Sequence, residues 1–176
     1  TQTINEAFGS RVVVPGTGLF LNDCMSLFDP HPGRPNSVGP AKRMLSSMSP
    51  TIVFKDEKPW FALGTPGGTR IFAAVLQAIL NVIDHGMTFQ EAMEAPRVWT
   101  QGEEIEVEEG VPEPIRGALD SRGHTVQVVA TVADGMNGIM YDQETSLIRG
   151  AACWRADGVP LGISGGPAVI HNDVAL

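Results

Sequence analysis

Apolar positions along the chain fall into short β-like runs and a few stretches with helical spacing. Residues 1–8, 11–14 and 19–22 are rich in β-branched and aromatic side chains. Gly9-Ser10 and Pro15-Gly16-Thr17-Gly18 interrupt them, which predicts three short strands. Residues 28–40 include Asp29-Pro30-His31-Pro32-Gly33-Arg34-Pro35-Asn36 and read as an ordered loop, since apolar segments flank it closely on both sides. A hairpin is predicted over 51–54 and 60–63, turning at Asp56-Glu57-Lys58-Pro59. Ile71, Ala74, Val75, Ala78, Ile79, Val82 and Ile83 recur at helical spacing, and Gly86 supplies the stop. So little charge precedes Asp84 that this helix is expected to be buried between layers.

Thr88-Phe89-Gln90-Glu91 is a capping box, and the short helix it opens must end before Pro96. Strands at 98–101, 105–107 and 125–130 follow, with a helix at 112–121. A closing hairpin spans 137–141 and 147–154, turning at Asp142-Gln143-Glu144-Thr145, while 164–176 carries Gly165-Gly166-Pro167 and no period. Strands and helices come in runs without regular βαβ alternation. The expected class is α+β, with antiparallel sheets covered by helices.

Composition narrows the possible functions. With 176 residues and 43% hydrophobic content, the chain can bury one full core. Its formal net charge of −8 argues against nucleic-acid or anionic-membrane partners, which require a surplus of Lys and Arg. Cys24 and Cys153 stand far apart and are expected to be free, and His31, His85, His124 and His171 occur singly. Neither a metal site nor a cofactor is expected. No apolar run approaches the roughly 20 residues that span a bilayer, so no membrane insertion by this chain is expected. The start shows no Met, basic n-region or signal h-region, and Thr1 falls inside a predicted strand. A processing product or fragment of a longer polypeptide is expected. The compartment stays open.

Two motifs carry candidate chemistry. Leu45-Ser46-Ser47-Met48-Ser49 pairs adjacent hydroxyls, and Gly64-Thr65-Pro66-Gly67-Gly68-Thr69-Arg70 places a glycine turn at the start of a helix. Backbone N–H groups at a helix start are unpaired and lie at the positive end of its dipole, and glycines let a ligand come close. Such a turn suits an oxyanion. It could also bind a phosphate non-catalytically, but Thr69-Arg70 stands where a phosphate loop continues with Gly-Lys-Ser/Thr. The plainest alternative is a helix-starting turn beside surface serines.

Read together, Thr3-Ile4-Asn5, Phe8-Gly9-Ser10, Gly18-Leu19-Phe20-Leu21-Asn22, Gly39-Pro40-Ala41-Lys42-Arg43 and the two motifs above resemble the small subunit of the γ-glutamyltransferase family over residues 1–163. The resemblance implies an N-terminal-nucleophile hydrolase fold, in which two antiparallel sheets lie between helical layers and a large subunit from the same self-cleaved precursor completes the domain. Residues 164–176 would be a C-terminal extension. It also implies amide cleavage by a Thr whose own α-amino group acts as base, through an acyl-enzyme. By position, Thr3 matches the dyad Thr that steadies the nucleophile. Ser46 and Ser47 match the carboxylate clamp, and Gly67 and Gly68 the oxyanion hole. A small-molecule amide is the implied substrate.

Three departures qualify this. The family's opening Thr-Thr-His-like segment lies upstream of the match to Thr3, so the nucleophile is expected before this chain, with Thr1 the lesser candidate. Asn5 is retained from the group that holds a donor's α-ammonium, but the Gln and Asp positions fall on Cys24 and Leu27. A donor without an α-amino group, glutaryl-type or oxamate-like, is therefore expected. Asp23, one place before Cys24, keeps a γ-glutamyl donor such as glutathione as the alternative, and an inactive binding relative as a further one. Finally, Asn36-Ser37-Val38 replaces the longer Tyr-bearing lid of some members, which leaves the site open to water and favours hydrolysis. Arg43 and Arg70 read as scaffold ion-pair or loop-anchoring residues, and Trp60, Trp99 and Trp154 as core.

Overall fold

A computed structural model describes residues 1–162, so the expected C-terminal extension at 164–176 lies outside the described residues. The chain divides into two compact units, Thr1–Met48 and Ser49–Leu176.

In the first unit, the three predicted strands do not form as ladders. Positive φ at Asn5, Glu6, Phe8, Gly9 and Arg11 coils the start of the chain. Val13 and Phe20 then meet in one antiparallel bridge, supported by bonds from Val14 N–H to Leu19 O and Leu21 N–H to Val12 O. The composition is right for strands, but within this unit no neighbouring strand is present to pair their backbones. Val12, Val13, Leu19, Phe20 and Leu21 are left exposed. Residues 28–40 do form the expected ordered loop. Asp29 anchors it by accepting from His31 and Arg34 side chains, and Asp29 N–H donates to Asn36 O at 2.9 Å.

The second unit holds the regular structure. Strands β1 (Thr51–Lys55) and β2 (Lys58–Gly64) form the predicted hairpin, and β6 (Asn137–Asp142) and β7 (Leu147–Ala152) form the closing one. They join as an antiparallel sheet of order β1-β2-β6-β7. Helices α1 (Ile71–Ile83) and α2 (Phe89–Glu94) cover one face. Phe61 and Leu63 of β2 bury there against Ile71, Ala74, Val75, Ala78, Phe89 and Met93. Both halves of the Thr88–Glu91 capping box are present, and Gly86 takes the left-handed φ of +65° that ends the preceding segment.

Strand β3 (Val98–Thr100) pairs antiparallel with β4 (Ile105–Glu108), which pairs parallel with β5 (Val126–Val129) through helix α3 (Glu113–Asp120). This second sheet is therefore mixed rather than antiparallel. A single strand–helix–strand crossover at its edge was hidden by the surrounding run of antiparallel connections.

Helix α1 is also less covered than expected. Ile71, Ala74, Val75, Ala78 and Val82 are buried, while Phe72, Leu76, Leu80 and Ile83 face outward and stay exposed, Phe72 at 58%. Similarly, Ile52 and Ile139 are exposed on the sheet face away from the helices. Trp154 is 52% exposed beneath the Arg155 guanidinium and is not a core residue.

Gly138 sits where β6 meets α2, and a Cβ there would stand 2.7 Å from Phe89 Cζ and 2.8 Å from the Ala62 carbonyl oxygen. Gly138→Ala should lower stability by about 1–3 kcal/mol, read as a reduced denaturant midpoint at unchanged slope.

Candidate active site

The first unit gathers most of the predicted substrate-side residues. Thr3 Oγ1 accepts the Asn5 backbone N–H at 2.9 Å, leaving its hydroxyl hydrogen available to another acceptor. Asn5 Nδ2 donates to Ser26 Oγ at 3.0 Å, and Asp23 N–H donates to Ile4 O at 3.2 Å. These bonds hold the short 3-10 turn Cys24–Leu27 beside Thr3 and Asn5. Cys24 N–H is fixed by Asn22 Oδ1, and Leu27 O accepts from Asn36 Nδ2 at 2.8 Å, linking the turn to the 28–40 loop. Cys24, Asp23 and Leu27 are half-buried. One carboxylate oxygen of Asp23 is buried with no hydrogen-bond partner among the described residues. Ser46 is exposed and accepts the Met48 N–H at 3.3 Å, and Ser47 is half-buried. Thr1 is exposed and lies in no strand. Sequence reasoning missed Ser26, whose only signal is its place between Cys24 and Leu27.

The glycine turn belongs to the second unit. Gly67 has φ +135° and Gly68 φ +60°, after which the 3-10 turn Gly68–Arg70 runs into α1. Gly67 is fixed by its surroundings, since a Cβ there would fall 2.6 Å from Ala133 Cα. Gly68 has nothing within 4 Å in that direction, so its side faces open space. Asp134 N–H donates to Pro66 O at 3.2 Å, and the Thr65 hydroxyl lies 2.9 Å from Asp134 O. The segment from Val132 to Met136 thus backs the turn.

Arg70 at the end of the turn behaves as the scaffold residue expected. Its guanidinium meets Glu106 through Nε at 2.7 Å and a second, parallel bond, and its plane lies 4.3 Å from the Trp99 ring centre. The hydrogen bond from Arg70 holds the Glu106 carboxyl below its ordinary range, against a smaller opposing effect of burial.

Behind the turn is a buried charged cluster that sequence reasoning did not identify. Glu108 is 2% exposed and Arg97 is 2% exposed, and the Arg155 side chain is fully buried. The Glu108 carboxylate accepts from Arg97 N–H at 2.9 Å, Val132 N–H at 2.7 Å and Arg155 Nε at 2.7 Å, as well as from Arg155 Nη2. Arg155 also donates to Met93 O and Ala95 O. Arg97 donates to Met93 O, Val132 O and Asp134 O. The only sequence signal was a single charge placed between apolar neighbours, as in Pro96-Arg97-Val98 and Trp154-Arg155-Ala156, while Glu108, followed by Glu109, carried none. Cys153 is fully buried beside them and accepts Met136 N–H at 3.1 Å and Arg97 Nη2 at 3.7 Å. Burial opposes ionisation of its thiol, but the N–H groups of Met136 and Arg155 and the Arg97 charge outweigh it and hold the thiol below its ordinary value.

Among the described residues no cluster of three or more His, Cys, Asp or Glu could hold a metal ion, and no helix is long and apolar enough to cross a membrane.

A family model described as gamma-glutamyltranspeptidase matches residues 1–163. The Acylase ACY 1 proenzyme of Pseudomonas sp. (strain SE83) is 54% identical over 96% of this chain. The glutathione hydrolase proenzyme of Bacillus subtilis (strain 168) is 39% identical over 93% of it. The chain spans about 30% and 28% of the length of these two relatives. Among solved structures, an acivicin-inhibited gamma-glutamyltranspeptidase superposes with a TM-score of 0.83 at 35% identity, covering 90% of this chain and 92% of that one. The cephalosporin acylase of Bacillus halodurans does so at 0.85 and 33%, covering 93% of this chain and 31% of that one. The chain belongs to the γ-glutamyltranspeptidase family, and its α+β fold is of the N-terminal-nucleophile hydrolase class.

The Arg70–Glu106 pair makes a pH prediction. A carboxyl held below its ordinary value adds stability that is fully present above that value and is lost as pH falls through the folded-state value. Glu106→Gln should therefore lower the melting temperature at neutral pH, and its deficit against the parent should shrink as the pH is taken below the ordinary carboxylate range. A deficit independent of pH would assign the loss to packing.

Proposed function

We propose that this chain is the small-subunit part of a self-processed amide hydrolase that cleaves a carboxylate-bearing acyl donor lacking an α-amino group. The observation that carries this is the Cys24–Leu27 turn. The bonds Asn5–Ser26 and Asp23–Ile4 hold it beside Thr3, and in our reading of the family register the apolar Leu27 takes the position of the acidic partner that an α-ammonium would need. A buried ammonium facing Leu27 would forgo a charge-assisted hydrogen bond worth about 1.5–3 kcal/mol. The 54% identity to an acylase proenzyme and the likeness to a cephalosporin acylase support the same direction.

In the proposed reaction, a Thr preceding Thr1 in the precursor attacks the donor's amide carbonyl, and its α-amino group takes the hydroxyl proton. Thr3 steadies that oxygen with the hydrogen its Oγ1 has free. Ser46 and Ser47 hold the donor's carboxylate, together with residues of a large subunit from the same precursor. N–H groups of the Gly67-Gly68 turn receive the developing oxyanion, a contribution typically of about 3 kcal/mol per donor. The leaving amine departs with the proton held by the α-amino group. Water then attacks the acyl-enzyme, and the acid leaves. The apolar faces of α1 and of the four-stranded sheet are the surfaces we assign to the large subunit, since the precursor relatives are more than three times the length of this chain.

A second reading rests on Asp23. Its unpartnered buried oxygen would suit a γ-glutamyl α-ammonium, as the glutathione hydrolase relatives also suggest.

Hydrolysis of glutaryl, oxamic and γ-glutamyl amides by the processed two-subunit protein tests the choice. The glutaryl or oxamic compound should show the highest kcat/KM, and Leu27→Asp combined with Cys24→Gln should shift preference toward the γ-glutamyl amide. Clear preference of the parent for the γ-glutamyl amide sinks the leading reading. It would direct attention to Asp23→Asn, which should then raise KM for that substrate by at least tenfold, about 1.4 kcal/mol.

A further inference from the structure

We propose that Arg97 is a positioning residue for the Gly67–Gly68 turn, acting through the backbone of residues 132–134, with Cys153 as its counter-charge. This rests on the reading of that turn as the oxyanion hole.

The path is continuous. The Arg97 guanidinium donates to Val132 O at 3.2 Å and Asp134 O at 3.1 Å, which fixes the Val132–Ala133 and Asp134–Gly135 peptide planes that bracket Ala133 and Asp134. Ala133 has φ +60°, an unfavourable conformation for a residue with a Cβ, so this short segment needs outside support to keep its shape. It is also the surface against which Gly67 rests, at a separation that admits no side chain. Asp134 then grips the turn directly, with its N–H on Pro66 O and its carbonyl oxygen shared between Arg97 and the Thr65 hydroxyl. A displaced Ala133 would move or release Gly67, and with it the N–H vectors that follow. Planarity and the five fixed donors of the guanidinium suit it to holding separated carbonyls in set directions, whereas an ammonium offers three donors from a single point on a flexible stem.

The charge balance points to Cys153. Arg155 takes the Glu108 carboxylate with two of its donors, whereas Arg97 offers Glu108 only its backbone N–H. Two buried cations therefore face one buried carboxylate. The remaining acceptor at the Arg97 guanidinium is Cys153 Sγ, which already receives Met136 N–H at a distance short for a sulfur acceptor, 3.1 Å. A thiolate there leaves the cluster neutral. It also ties Met136, at the far end of the same segment, to the same cation.

The test uses the processed two-subunit protein and two readouts, steady-state kinetics and amide hydrogen exchange of residues 64–70. Arg97→Lys should speed exchange in that segment and lower kcat by about tenfold or more with KM within about twofold, since the donors would be misplaced without loss of substrate grip. Thr65→Val, at a half-buried position that tolerates the change, should do the same to a smaller degree and decides the matter if Arg97→Lys does not fold. Cys153→Ala should reproduce the loss, and Cys153→Asp, which restores the negative charge, should recover most of it. Faster exchange at unchanged kcat would keep the positioning role and discard the oxyanion reading of the turn. Unchanged exchange in both Arg97→Lys and Thr65→Val overturns the positioning role. Equal damage from Cys153→Ala and Cys153→Asp overturns the part given to the thiol.

Discussion

A carboxylate placed in a dry interior must be matched by donors, and Glu108 is matched by four N–H groups drawn from three separate stretches of chain. Much of the second unit follows from that one demand. Arg97 and Arg155 are brought in from the end of α2 and the segment after β7. Once there, their remaining donors are spent on the carbonyls of Met93, Ala95, Val132 and Asp134. Those carbonyls lie in irregular backbone or, for Met93, in the last turn of α2, where no ladder satisfies them. The cluster therefore works as a substitute for secondary structure in the region that supports the glycine turn. Removing one partner would strand the others, which is why such clusters are costly to break although their net contribution to stability is small.

How much of this could be seen beforehand depended on whether the signal was local. The capping box at Thr88 and Glu91, the apolar spacing from Ile71 to Val82 and the left-handed Gly86 are all set by near neighbours, and each was legible in the sequence. The hairpins about Asp56 and Asp142 were legible for the same reason. The parallel pairing of β4 with β5 was not, because register between strands separated by a helix leaves no short-range mark. Residues 1–22 failed in the other direction. Their composition is that of strands, but a strand needs an edge to pair with, and among these residues only Val13 and Phe20 form a bridge.

The candidate site shows the same division. Thr3, Asn5, Ser46, Ser47, Gly67 and Gly68 were selected through ordered motifs, and the structure adds to them the bond from Asn5 N–H to Thr3 Oγ1 and the positive φ of Gly67. Ser26, Arg97, Glu108, Arg155 and Cys153 form no sequence motif. Their relation exists only where distant segments meet, Arg155 reaching Glu108 across 47 positions of sequence. Trp154 illustrates the reverse error, because a large apolar ring beside a buried arginine proved to be its outer cover.

Glu108 closes strand β4 of the mixed sheet, and Arg155 follows strand β7 of the antiparallel one. Neither sheet can open by itself without exposing an unpaired charge to a still-dry neighbour. The two should accordingly melt as one cooperative element, and local opening is confined to parts that do not share the carboxylate, such as α3 and the outer edge at β1. Rigidity of the glycine turn is then tied to the stability of that shared element, and the turn should lose its backing when the cluster opens.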